Sequence, residues 1–184
     1  MKIILIGSST GGPNQLKFLL KDIDIGNTCV IIAQHMKPDF IPSFVNQFDK
    51  EALNEVALLN DKEILENRIY ICQTNTILSG SLTLSASFSD TKTNFKPNIN
   101  LLFNSAVHYA SAHKLLAILL TGMGDDGAHG LLNLYNAKVK CLCENEADCV
   151  VYGMPKRAKD LNPKLMPMSL KELKREILHF VESE

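Results

Sequence analysis

At 184 residues the chain is short enough for one hydrophobic core, since single cores stop growing only beyond about 250 to 300 residues. Hydrophobic residues make up 46% and charged residues 21%, the profile of a globular protein rather than a disordered or fibrous one. The 19 basic and 20 acidic residues leave a net charge of −1 with no basic stripe, which argues against nucleic acid as a partner.

The amino terminus reads Met1-Lys2-Ile3-Ile4-Leu5-Ile6-Gly7. This apolar run is too short for a signal peptide and enters a Ser/Gly turn, so Lys2–Ile6 is expected to be a strand. A helix is expected at Pro13–Lys21, with proline at a first helical position, then strands at Cys29–Ala33 and Arg68–Cys72. Ser81-Leu82-Thr83-Leu84-Ser85 alternates before a polar stretch running to Pro97. This predicts a β-hairpin or edge strand near 79–95, followed by an exposed loop. Beyond it the pattern predicts a helix at Asn98–Ala112, a strand at Leu115–Leu120, a helix at Gly127–Tyr135 and a strand at Val139–Leu142. A last helix, Ser169–Val181, opens Ser-Leu-Lys-Glu like a capping box.

The strands are continuously apolar rather than alternating, which marks strands buried on both faces. The expected fold is α/β: a doubly wound, mostly parallel sheet flanked by helices, forming one domain over residues 1–184. No apolar stretch approaches the roughly 18 residues of a membrane span, so no membrane insertion is expected. Five cysteines (Cys29, Cys72, Cys141, Cys143 and Cys149) form no disulfide framework, and without a secretion signal they point to a reducing, cytoplasmic setting. Cys141-x-Cys143 with Cys149 lacks a fourth ligand at metal spacing, so these are expected to be packing residues and neither metal nor cofactor is expected.

The first strand ends in Gly7-Ser8-Ser9-Thr10-Gly11-Gly12-Pro13, where residues 7–11 match Gly-x-Ser-x-Gly in a strand–turn–helix setting. A sharp turn tolerates only small neighbours, so glycines flank the serine while its hydroxyl projects from the sheet edge. Free backbone N–H groups near Thr10 to Gly12, ahead of the helix, can meet a developing oxyanion. A phosphate-binding loop would need lysine where Pro13 stands, and a dinucleotide fingerprint would need glycine where Ser9 stands. Ser9 is therefore the candidate nucleophile of a hydrolase.

Such a serine needs a base. His35 follows the apolar run Val30–Ala33, at the carboxyl end of a strand on the same sheet edge as Ser9. His108, His113, His129 and His179 fall on or near helices, where surface or packing roles predominate. The acid that fixes the imidazole should come from a third strand end, Thr121-Gly122-Met123-Gly124-Asp125-Asp126-Gly127-Ala128. Spacing leaves Asp125 and Asp126 both open, and either can also cap the following helix. The order Ser, His, Asp, with the elbow on the first strand, differs from that of the α/β-hydrolase fold.

Taken together, five segments resemble the catalytic domain of the bacterial chemotaxis protein-glutamate methylesterase family. They are Ile6 to Pro13; Gln34-His35-Met36; Pro97 with Leu102-Phe103-Asn104-Ser105-Ala106; Leu120 to Ala128; and Val150-Val151-Tyr152-Gly153-Met154-Pro155. The resemblance implies Ser9 as nucleophile, His35 as base and Asp126, the aspartate directly before Gly-Ala, as the acid. It also implies that Thr10 and Met123 line the site, the Met123 backbone as an oxyanion contact, beside the Gly11 amide of the turn. The substrate implied is a γ-glutamyl methyl ester on the cytoplasmic helices of a chemoreceptor, with deamidation of receptor glutamines as a second activity. The sequence departs from the family at Pro97-Asn98-Ile99-Asn100-Leu101, at Cys72-Gln73-Thr74-Asn75, and at Glu144, where glutamine is usual. Family members usually carry a phosphorylatable receiver domain ahead of the catalytic one, whereas this sequence begins at the catalytic domain's first strand.

Overall fold

The computed structural model describes residues 1–80 and 83–183. In chain order the elements are β1 (Lys2–Ser8), α1 (Gly12–Leu20), β2 (Thr28–Gln34), α2 (Ile41–Glu51), β3 (Val56–Leu59), β4 (Glu63–Ile64), β5 (Ile69–Cys72), β6 (Thr76–Ser79), β7 (Ser85–Phe88) and α3 (Ile99–Ala106). There follow β8 (Lys114–Leu119), α4 (Ala128–Asn136), β9 (Lys140–Glu144), α5 (Met154–Leu161), β10 (Pro167–Met168) and α6 (Leu170–Glu182).

Seven strands form one sheet in the order β10-β9-β8-β1-β2-β5-β3, and each of its ladders is parallel. Parallel strands need crossovers, and the crossovers cover both faces with helices. That is why β1 and β2 read as unbroken apolar runs. Ile3, Leu5 and Ile31 pack on the face covered by α3, α4 and α5. Their alternates Ile4, Ile6 and Ile32 pack on the face covered by α1, α2 and α6. From β1 the chain builds outward through β2, then returns to add β8 on the other side. The carboxyl ends of β1 and β8 thus flank the point where strand order reverses, where open α/β sheets place their sites.

The α/β architecture expected from the sequence is the one observed, and its five strands are all present. The hairpin is present too: β6 and β7 pair antiparallel from Thr76↔Phe88 to Ser79↔Ser85, with β4 on the far edge of β7. The alternation at Ser81-Leu82 lies outside the described residues. The helix expected over Asn98–Ala112 ends earlier, at Ala106, and tightens into a 3-10 turn at Val107–Tyr109. The chain must enter β8 at Lys114, whose amide bonds Met1, which leaves no room for a further turn. In α6, Ser169 and Glu172 form the capping box.

Two helices were not expected. In α2 the buried positions Ile41, Phe44, Val45 and Phe48 have helical spacing, but Pro38 and Pro42 beside them read as breakers. α5 buries only Met154, Pro155 and Ala158, too few apolar positions to mark a helix. No helix among the described residues is long and apolar enough to cross a membrane. Burial pushes the thiols of Cys29, Cys72, Cys141 and Cys143 up to about 12, and Cys141 and Cys143 pack in the core beside α4 and α5.

Candidate active site

Three strand ends meet at the switch point. The β1/β2 ladder pairs Ser8 with Gln34, so the next residues, Ser9 and His35, leave neighbouring strands side by side. The His35 amide donates to the Ser8 carbonyl (2.9 Å), carrying the ladder one step further. On the other side Leu120 N donates to Gly7 O and Ser9 N to Thr121 O, both at 2.9 Å. The backbone of Ser9 is thereby held between β2 and β8.

Gln34, buried at the end of β2, fixes this junction. Its Nε2 donates to the carbonyls of both Ser9 (3.0 Å) and His35 (2.8 Å), while its Oε1 accepts from Ser8 Oγ (2.6 Å). In the sequence Gln34 stands only as the neighbour of His35. A polar residue closing a fully apolar strand was the available signal, because a buried amide needs partners to offset its desolvation.

The turn after Ser9 depends on close approach. Gly11 has φ 88°, in the left-handed region, and a Cβ there would lie 2.4 Å from Val150 Cγ2. Gly122, across the site, would bring a Cβ within 2.6 Å of Ser9 Cβ. The amide of Gly12, expected to be free, instead bonds Ser9 O at 2.9 Å and closes the turn. The amides of Thr10, Gly11 and Met123 make no hydrogen bond among the described residues. Thr10 is exposed, and so is Met123, with 71% of its surface accessible.

Burial separates the two aspartates that spacing left open. Asp125 is exposed, whereas Asp126 is 3% exposed and accepts four hydrogen bonds. Its Oδ2 takes Ile99 N and His35 Nε2, each at 2.8 Å; its Oδ1 takes Gly127 N (2.9 Å) and Asn100 N (3.0 Å). Ile99 and Asn100 open α3, where unpaired amides and the positive end of the helix dipole favour a carboxylate. Asn98 caps the same helix by accepting from Leu101 N. The carboxylate is thus fixed by backbone on every side except the one it turns to His35.

His35 is directed by that contact. With Nε2 committed to the carboxylate, Nδ1 is the ring nitrogen left to take a proton. The Phe95 ring stacks on the imidazole, with centroids 4.9 Å apart. Ser9 Oγ makes no hydrogen bond among the described residues; only its backbone is tied in place. Such an arrangement, a serine beside an imidazole held by a buried carboxylate and next to unpaired amides, is equipped for acyl transfer. Of the other histidines, His108, His129 and His179 are exposed, and His113 lies beside the amino-terminal ammonium.

The family profile described as CheB methylesterase matches residues 4–177. The chain belongs to this family. The protein-glutamate methylesterase/protein-glutamine glutaminase 1 of Caulobacter vibrioides is 35% identical over 184 residues, covering 96% of this chain and 53% of that protein. Its counterpart in Salmonella typhi is 30% identical over 188 residues, covering 96% and 52%. This chain therefore spans about half the length of the curated relatives it matches. The crystal structure of the Thermotoga maritima CheB methylesterase catalytic domain has the same fold, with a TM-score of 0.86 over 97% of each chain at 24% identity.

A second buried carboxylate supports this CheB-family site from below. Glu144, at the end of β9, is fully buried; its Oε2 accepts Thr121 N at 2.7 Å and its Oε1 accepts Gln15 Nε2. Burial pushes its carboxyl above the ordinary value, against the lowering effect of the Thr121 amide, the Cys149 thiol and Gln15. Thr121 Oγ1 donates to Thr10 O and accepts from Val151 N, both at 2.9 Å. The Ser9 and Met123 loops are thereby cross-braced. Among the described residues no group of three or more His, Cys, Asp or Glu side chains is placed to hold a metal ion.

Proposed function

We propose that this chain is a serine carboxylesterase, a protein-glutamate methylesterase acting on γ-glutamyl methyl esters in the cytoplasmic helices of bacterial chemoreceptors. The same centre is proposed to deamidate receptor glutamines. The observation that carries this reading is the His35–Asp126 contact of 2.8 Å, built one strand away from Ser9. Relatives named protein-glutamate methylesterase/protein-glutamine glutaminase support both the ester and the amide chemistry.

In the proposed mechanism Ser9 Oγ attacks the ester carbonyl carbon and its proton passes to His35 Nδ1. Asp126 holds the imidazole in the tautomer that makes this possible and stabilises the imidazolium. The tetrahedral oxyanion is met by amides that are otherwise unpaired, those of Thr10 and Gly11 on one side and Met123 on the other. Collapse breaks the bond to the methoxy oxygen, which takes the proton from His35 and leaves as methanol. Water then attacks the acyl-serine with His35 again as base, freeing the glutamate and restoring Ser9. With a glutamine substrate the leaving group is ammonia.

The test is methanol release from methylated chemoreceptor membranes. Ser9→Ala is expected to lower turnover by about 10⁴-fold or more. Retention of substantial activity in that variant overturns the assignment of the nucleophile.

A further inference from the structure

Phe95 sits in an unusual place for a large apolar side chain. It lies on the loop between β7 and α3, in a polar stretch, with 40% of its surface exposed. Yet its ring is nearly parallel to that of His35, with 9° between the planes. It also walls a cleft of about 290 Å³ shared with Asp126, Asn98 and Asn100.

A single buried side chain holds this loop. Asn75, fully buried just before β6, donates from Nδ2 to Thr91 O (2.8 Å) and Thr93 Oγ1 (2.9 Å). Its Oδ1 accepts Asn98 N at 2.9 Å, and its carbonyl accepts Ser89 N at 2.8 Å. Thr93 Oγ1 in turn donates to Phe95 O at 2.7 Å. Asn75 therefore grips the loop at its start, middle and end, and the next link in the chain is Phe95. Exposed loops are ordinarily variable and mobile; this one is tied down at the residues flanking the aromatic ring.

We propose that Phe95, presented by the Asn75 clamp, is a positioning residue for the His35 base. The inference rests on the reading of His35 as general base. The Asp126 bond fixes one nitrogen of the imidazole but leaves the ring free to tilt about that contact. A flat aromatic neighbour removes the tilt, keeps water from one face, and keeps Nδ1 aimed at the nucleophile. Its π-face also favours the imidazolium that forms as Ser9 loses its proton, a stabilisation stronger in the transition state than before it.

The experiment uses Phe95→Leu, which keeps apolar bulk without a π-face, and Phe95→Tyr, which keeps the face. Each is measured in two ways: the rate of Ser9 labelling by a small alkyl fluorophosphonate, and kcat and KM for receptor-ester hydrolysis. Phe95→Leu is expected to slow labelling and kcat by about 5- to 20-fold with KM unchanged, and Phe95→Tyr to stay within about twofold of the parent. Labelling of Phe95→Leu at the parent rate overturns the proposal, as does a Phe95→Tyr variant as slow as Phe95→Leu. A rise in KM alone, with labelling intact, would make Phe95 a substrate contact and also overturns it. Ser9→Ala is the control: if it still labels, the nucleophile assignment fails, independently of what Phe95 does.

Discussion

Asp126 and Glu144 are both buried carboxylates at the carboxyl edge of the parallel sheet, and their surroundings differ sharply. Asp126 takes three backbone amides and an imidazole, two of the amides from the first turn of α3. Glu144 takes one backbone amide and one side-chain amide, with the Cys149 thiol beside it; no ion pair reaches it among the described residues, and burial raises its carboxyl. A helix start and several backbone donors hold the Asp126 carboxylate in place, whereas burial makes Glu144 costly to ionise despite the Thr121 amide, the Cys149 thiol and Gln15. The two also face different things. Asp126 is turned to the proposed base, whereas Glu144 is turned to the backbone of the loop that holds Ser9. The comparison separates a carboxylate turned to the proposed base from one turned to the scaffold.

The strongest way to break that contrast is to neutralise each carboxylate in turn. Asp126→Asn keeps Oδ1 for the amides of Asn100 and Gly127 but puts an amide NH2 where Oδ2 accepts from His35 Nε2 and Ile99 N. Turnover is expected to fall by about 10⁴-fold in the methanol-release assay. Asp125→Asn, on the exposed neighbour, is expected to leave kcat within about threefold. Equal damage from the two would remove Asp126 from its proposed role.

An intermediate effect should come from the brace between the loops. Thr121→Val preserves shape but leaves Thr10 O and Val151 N without the hydroxyl they share. A loss of about 1 to 3 kcal/mol is expected, read as a fall in Tm of about 3 to 10 °C. Its kcat should fall far less than that of Asp126→Asn, because no reacting group is removed. A Tm unchanged by Thr121→Val would show that the loops are held by backbone alone.

What could be read from the sequence divides along the same line. Ser9, His35 and the Asp125-Asp126 pair were visible because each directly follows or closely trails an apolar strand, and parallel strands bring their carboxyl ends to one edge. The choice of Asp126 was not visible in spacing: it depends on the first amides of α3, contributed by residues 99 and 100, far along the chain. Phe95 was invisible for a related reason. Its loop is polar and without periodicity, and its position over His35 is set by Asn75, a residue with no local signature. The α2 helix was masked by prolines that in fact open it, and the hairpin was legible only in its neighbourhood: its strands, Thr76–Ser79 and Ser85–Phe88, share only Ser85 with the alternation at Ser81 to Ser85. Local pattern revealed the strands; the contacts that orient the site are long-range.

The smallest expected effect tests Glu144 itself, through pH. Its folded carboxyl titrates above the ordinary value of 4.5, so between those two points the native state holds more protons than the unfolded chain. Stability contributed at this position must therefore fall as pH rises through that window, and the penalty is then constant at higher pH. Below the ordinary value both states are protonated and the penalty vanishes. Glu144→Gln cannot ionise and keeps a carbonyl oxygen for Thr121 N, so it is expected to raise Tm relative to the parent near pH 8. The gain should shrink towards zero by about pH 3, well below the ordinary value, where the parent carboxyl is neutral in both states. Thermal melts of the two proteins across that range give the difference directly, with titrations common to both cancelling. A variant less stable than the parent near pH 8, with the deficit lost in acid, would show that the ionised carboxylate stabilises the fold. Glu144 would then be a fixed charge that braces the Thr121 loop rather than a buried acid.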